Sequence, residues 1–136
     1  MSATALAMVI ARLQADTWFA DMGGISTIAV GFRGAHARIT ENDPEPNVVI
    51  EMKRDMQNLA HDMITIECSI FDSRSSTNRW AIAEQLRRAL TTKNFYTPKL
   101  NLLRLCEVGA RDGLPDRTTG RVKLVALYRG TAVWKR

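Results

Sequence analysis

The stretch that decides the fold is residues 46–90, PNVVIEMKRDMQNLAHDMITIECSIFDSRSSTNRWAIAEQLRRAL. Apolar residues occupy every second position from Ile64 to Ile70, which is the period of a strand with one buried face. The same alternation runs from Val48 to Lys53. Because the connection at residues 54–60 has about the length of a hairpin loop, the two strands are predicted to pair antiparallel.

Helices are predicted on both sides of this strand pair. Across Ile82–Leu90 the apolar residues recur at helical spacing opposite a polar face, and the Ser and Thr residues at 73–77 supply N-caps. Similar spacing across Ala3–Met22 predicts a first amphipathic helix, which Gly23 and Gly24 end.

Further strands complete the predicted sheet. Ile28–Phe32 predicts a weak strand, with residues 35–40 as a weaker partner run. Leu100–Arg111 is apolar on both alternating sets, as in a central strand covered on both faces, and Arg121–Arg129 alternates again. These patterns predict an α+β fold, a single domain over residues 1–136, in which a mostly antiparallel sheet of about four to five strands packs against two helices.

Composition is that of an ordinary globular domain. The chain has 136 residues, of which 46% are hydrophobic and 24% are charged, so it can bury a core without disulfide staples. Cys68 and Cys106 both lie in apolar strand-like runs, and we expect reduced core cysteines. The apolar start at Ala3–Ala11 lacks a basic leader and stops at Arg12, which favours a cytoplasmic protein without signal peptide or membrane span.

Charge is distributed unevenly along the chain, whose formal net charge is +5. Up to Pro46 there are three Arg residues against five acids, whereas from Tyr96 onward nine Lys and Arg residues face three acids. Such asymmetry suits a nucleic-acid surface, complementary faces on subunits that assemble head to tail, or a solvated basic end.

The sequence offers no catalytic or metal-binding pattern with workable spacing. The candidate soft ligands lack the close paired spacing of a zinc site; they are His36, His61, Cys68 and Cys106. Cys68 falls on the buried face of its strand, where a thiolate nucleophile is disfavoured. Gly31–Gly34 resembles an RNA-clamping glycine loop, but its flanks are strand-like. We therefore predict a protein that is not an enzyme, with no catalytic, cofactor-binding or metal-binding residues and no cofactor.

The order of these elements resembles a known family. A first helix is followed by the strand Pro46–Ile50, an alternating strand that ends in Phe71-Asp72, the helix Thr77–Leu90, and the sequence DRTTG at 116–120 that opens the last strand. Together these features, which span most of the chain, resemble the tail-terminator or tail-completion proteins of long-tailed bacteriophages and related gene transfer particles. Each feature is ordinary by itself, and the order and spacing carry the resemblance.

The resemblance implies a structural protein of the virion tail or neck, assembled in the host bacterial cytoplasm. Such a subunit forms a ring, usually a hexamer, on the head-proximal end of the tail tube, where it ends tube polymerisation and provides the head-tail joining surface. The implied partners are other copies of the chain, the major tail tube protein, a head-completion or connector protein, and DNA that passes through the lumen without sequence-specific binding; no membrane is involved. The alternatives are a small basic nucleic-acid-binding module or a head-closure or connector subunit of the phage neck.

A ring of identical subunits needs a head-to-tail interface between two different surfaces. We predict that an acidic loop forms one side and a basic run the other, because opposed charges steer association. The acidic loop comprises Glu41, Asp43 and Glu45, and the basic run comprises Arg117, Arg121, Lys123 and Arg129. The alternative is that both are solvated surface charges.

Gly120 is predicted to take a positive φ in the turn that launches the last strand.

Overall fold

A computed structural model describes residues 2–34, 44–57, 61–96, 98, 100–115, 117 and 119–134. The partner run at 35–40, with His36, and the acidic residues Glu41 and Asp43 lie outside the described residues. The helices are α1 (Ser2–Ala15), α2 (Trp18–Asp21), which continues into a 3-10 turn at Met22–Gly24, and α3 (Ser76–Thr91). The strands are β1 (Gly31–Gly34), β2 (Asn47–Gln57), β3 (His61–Phe71), β4 (Phe95–Tyr96), β5 (Leu100–Asp112) and β6 (Lys123–Trp134).

The strands in the described part of the chain form one sheet of six, in the order β1-β2-β3-β6-β5-β4. Among the described strands, β1 and β2 pair parallel and the other neighbours pair antiparallel. The predicted α+β fold with a mostly antiparallel sheet is confirmed, as is the antiparallel pairing of β2 with β3. The two-residue strand β4 adds to the predicted count.

The core lies between one face of the sheet and the helices. Helix α1 packs on β1 and β2, and α3 packs on β3, β5 and β6. Register places Ile50 opposite Cys68, which lies opposite Ala126, and Ile66 opposite Tyr128, so that this face is continuous across the strands. All five of these side chains are fully buried. Their burial is the main favourable term in the stability of the domain.

The first helix is shorter than predicted. It ends at Ala15, because the Asp16 carboxylate accepts a hydrogen bond of 3.0 Å from the backbone N–H of Trp18 and so starts the separate helix α2. The predicted stop is nevertheless present, since Gly23 and Gly24 have φ values of 66° and 91°.

Strand β5 is not the doubly covered central strand that its apolar sequence predicted. It lies beside the two-residue β4 near one edge of the sheet, Val108 is 63% exposed, and Cys106 is an exposed cysteine, not a core one. The register of β5 against β6 shifts at 103/106 and again at 107/109, and Arg104 has a φ of 54°. These bulges break the alternation, so apolar residues at successive positions do not indicate coverage of both faces.

The last strand begins at Lys123 and continues to Trp134, beyond the predicted end at Arg129. Gly120, in the connection before it, has a φ of 71°, which confirms the predicted left-handed turn. A Cβ at this position would meet nothing within 4 Å. The demand for glycine therefore comes from the backbone conformation and not from crowding.

Gly120→Val is expected to lower the free energy of unfolding by about 1–3 kcal/mol, because a β-branched residue is strained at positive φ. The matched control is Gly109→Val, since Gly109 lacks a positive φ and a Cβ there also meets nothing within 4 Å. Urea unfolding of both variants measures the difference. Equal stability of the two variants would show that the Gly120 turn does not demand glycine.

Candidate assembly surface

Strand register aligns one row of residues across nearly the whole sheet. Gly31 pairs with Asn47, Asn47 with Phe71, and Phe71 with Lys123. Beyond Lys123, the backbone N–H of Gly113 donates a 2.9 Å hydrogen bond to the Lys123 carbonyl. The chain enters β1, β2 and β6 and leaves β3 and β5 at this row, and we call this end of the sheet the loop end.

A charged cluster around Asp72 organises the loop end. Asp72 is fully buried, and its two carboxylate oxygens accept hydrogen bonds of 2.9 and 2.7 Å from the Arg74 guanidinium. Arg74 also donates to the Ser26 hydroxyl at 2.7 Å, and Arg79 donates to the Asp72 carbonyl at 2.8 Å. The pKa of Arg74 is raised, mainly because its guanidinium donates a hydrogen bond to Asp72. This cluster ties the segment before β1 to the start of α3, which Ser75 caps.

Glu45 is the member of the acidic loop that the structure describes. It lies two residues before β2, half-buried, and one oxygen accepts hydrogen bonds from the backbone N–H of Ser73 at 3.1 Å and from the Ser73 hydroxyl at 2.6 Å. Its other oxygen, Oε2, is buried and has no hydrogen-bond partner among the described residues. The carboxylate is therefore fixed in position with one acceptor unused.

The basic run is divided by the fold. Arg117 and Arg121 lie in the connection between β5 and β6, and Lys123 begins β6, so these three are at the loop end with Glu45. Arg129 instead lies within β6, opposite Thr65 and Cys106. Six residues of strand place it roughly 20 Å from Lys123. The structure thus brings Glu45, Arg117, Arg121 and Lys123 to one end and leaves Arg129 apart.

Exposed apolar side chains also gather in segments at the loop end, which the sequence patterns did not reveal. Ile25 and Ile28, in the segment before β1, are 57% and 49% exposed. Leu114, two residues after the end of β5, is 82% exposed, and Val122, directly before β6, is 37% exposed. A contiguous apolar patch on a surface is typical of a protein interaction site, whereas single exposed apolar residues are ordinary. The sequence does contain large aliphatic residues inside these loop segments, but strand register is needed to show that the segments lie at the same end of the sheet.

The described residues contain no group of three or more His, Cys, Asp or Glu side chains placed to hold a metal ion. Burial raises the pKa of the Cys68 thiol to about 12, and the Glu67 carboxylate adds to this shift. At neutral pH Cys68 is therefore a protonated, unreactive core side chain. No helix in the described part of the chain is long and apolar enough to cross a membrane.

A groove of about 500 Å³ between α1 and α3 is lined by Arg12, Arg88 and Lys93. The Arg12 guanidinium donates to the carbonyls of Lys93 at 2.6 Å and Asn94 at 2.7 Å, and it lies 3.3 Å from the centre of the Phe95 ring. Burial lowers the pKa of Arg12. This cation thus joins α1 to the segment after α3, which is a structural role.

No protein-family model matches the chain, and no curated protein matches it in sequence. Among solved structures, the fold is similar to that of a chain in the virion of a native gene transfer agent particle. The TM-score is 0.66 at 17% sequence identity, and the match covers 96% of this chain and 94% of that chain. The whole domain, from α1 to β6, therefore has a counterpart fold in a virion component.

Asp72→Asn is expected to lower the free energy of unfolding by about 1–3 kcal/mol, because it weakens a buried charge-assisted hydrogen-bond pair. The control is Glu84→Gln, which breaks the exposed pairs of Glu84 with Arg87 and Arg88 and should leave the melting temperature near that of the wild type. Thermal unfolding measures both. A wild-type melting temperature for Asp72→Asn would contradict a stabilising role for the cluster.

Proposed function

We propose that this protein is a structural component of a phage-like particle that forms a closed ring on the head-proximal end of the tail tube. There the ring ends tube polymerisation and provides the surface that joins the tail to the head. The observation that carries the proposal is the correspondence of fold with a chain of a gene transfer agent virion over 96% of this chain. The order of sequence elements, which resembles tail terminators, supports the same function independently of that match.

The arrangement of charge suits a head-to-tail ring. Glu45 precedes β2, whereas Arg121 precedes β6, and β3 lies between these two strands. The strands that follow the acid and the base are therefore two inter-strand spacings apart, roughly 10 Å, at one end of the subunit, and a head-to-tail contact would pair the acid of one subunit with the base of the next. Arg129 lies about 20 Å from this level, so it is the member of the basic run that contributes least to the proposed contact.

The ring's partners follow from its position. One rim contacts the major tail tube protein, the other contacts the head-completion or connector protein, and DNA passes through the lumen. A net charge of +5 gives salt-dependent attraction to phosphate without sequence preference. The exposed apolar and charged groups at the loop end support this role, which is structural and not enzymatic.

The charge reversal of the acidic loop tests the interface. Glu41→Lys, Asp43→Lys and Glu45→Lys together should weaken the ring in native mass spectrometry, because like charges then oppose each other across the contact. A second chain with Arg117, Arg121 and Lys123 changed to Glu should restore mixed rings, and Arg129→Glu alone should leave the wild-type ring intact. If the acidic-loop variant forms wild-type rings at the same concentration and salt, this assignment of the interface is wrong.

Binding to duplex DNA separates the ring protein from the alternative of a nucleic-acid-binding module. We expect weak binding that disappears as salt is raised and does not depend on sequence. Fluorescence anisotropy with two unrelated duplexes at physiological salt measures this. Tight binding to one duplex, by a protein that stays monomeric, would favour the nucleic-acid module and contradict the proposed function.

A further inference from the structure

A small cavity lies on the β1–β2 side of the loop end. It has a volume of about 250 Å³ and is lined by Ile28, Phe32, Pro44, Glu45 and Pro46 among others. The backbone N–H of Gly31 donates a 3.0 Å hydrogen bond to the Pro46 carbonyl, which holds the two strands together beside the cavity. The cavity thus combines apolar walls with one carboxylate, that of Glu45, and one guanidinium, that of Arg33, which suits an aliphatic side chain with polar groups around it.

Leu114 is a projecting apolar side chain on the other side of the same end. It is 82% exposed, the largest exposure among the large hydrophobic residues of the described chain. Its backbone position is set by the neighbouring bond from Gly113 to Lys123, so Leu114 leaves the sheet at a fixed point. Arg117 and Arg121 follow it in the same connection, and Arg117 is exposed.

Leu114 does not belong to the cavity of its own subunit. Strands β1 and β5 are separated by β2, β3 and β6, and four inter-strand spacings amount to roughly 19 Å. An apolar projection and a complementary cavity elsewhere on the same molecule produce a head-to-tail contact between copies. The proposed occupant of this cavity is therefore a second copy of the chain.

Ring symmetry places a further demand on such a contact. A rotation leaves the height of every atom along the ring axis unchanged, so the two surfaces that meet must lie at equal heights. The cavity is lined in part by Gly31 and Asn47 of the aligned row, and Leu114 follows Gly113, whose N–H bonds to Lys123 of the same row. The two features are therefore level when the strands run along the ring axis.

We infer that Leu114 of one subunit inserts beside Ile28 in the cavity of the next subunit, and that Arg117 and Arg121 then face Glu45. Charge complementarity favours this register over a contact of like surfaces. The exposed side of the Glu45 carboxylate, where Oε1 accepts from Ser73, supplies the negative charge that the incoming guanidinium faces. This inference rests on the proposed ring and names the residues of its subunit contact.

Cysteine cross-linking tests the contact directly. In a Cys106→Ser background, the double variant Ile28→Cys/Leu114→Cys should form a ladder of disulfide-linked species up to the full ring on non-reducing gels. Each single variant should form none, and a mixture of the two single variants should form only dimers. Cys68 remains in place, because its buried thiol is unreactive. Disulfides require Cα atoms within about 7 Å, so the cross-link reports proximity closely.

Leu114→Asp should raise the protein concentration at half-assembly by about tenfold or more, because it replaces a buried Leu side chain by a charge. The control is Tyr96→Asp, since Tyr96 is 66% exposed and lies in β4 at the other end of the sheet. Circular dichroism should show the wild-type fold for both variants. Native mass spectrometry measures assembly.

The outcomes distinguish the contact from the ring. Two outcomes would overturn the contact while the proposed function stands. The first is a double variant that forms rings without cross-links, and the second is a Leu114→Asp variant that assembles like the wild type. Disulfide-linked dimers of the Leu114→Cys variant alone would also overturn the contact. A cross-link from Leu114→Cys to the tail tube protein, in place of one to Ile28→Cys, would overturn it as well. A wild-type chain that stays monomeric at every concentration would overturn both.

Discussion

Strand β3 is the constraint on which the rest of the structure depends. It pairs with β2 on one side and with β6 on the other, and its alternation decides which face of both neighbours lies under the helices. A slip of one residue would place Glu67 in the core and Ile66 on the opposite face. The buried set across these three strands therefore specifies one register, and that register fixes the aligned row at the loop end.

The sequence predicts the elements that obey a simple period. The alternation of β3 and the apolar stripe of α3 are local signals, and both elements form where the pattern places them. Strand β5 shows where prediction from period fails. Its bulges change which face each successive residue occupies, so the apolar pattern predicted burial at Val108, which is exposed. The early end of α1 was missed because Asp16 looks like any polar residue of a helix surface until its hydrogen bond to Trp18 is seen.

The candidate surface depends on long-range register more than on local pattern. Glu45, Leu114 and Arg121 belong to separate segments, and nothing in their spacing shows that they share one end of the sheet. The sequence did indicate that acidic and basic groups lie far apart along the chain. The fold adds that Glu45 and Arg121 lie at one end of the sheet, before β2 and β6, and it separates Arg129 from them.

The most direct test of the account is electron cryomicroscopy of tubes assembled from the tail tube protein of the same particle, with and without this protein. The account predicts that the protein adds a closed ring to one end of each tube and that tubes capped in this way stop growing. Density along the tube wall, no density at either end, or tubes that lengthen equally with and without the protein would contradict it.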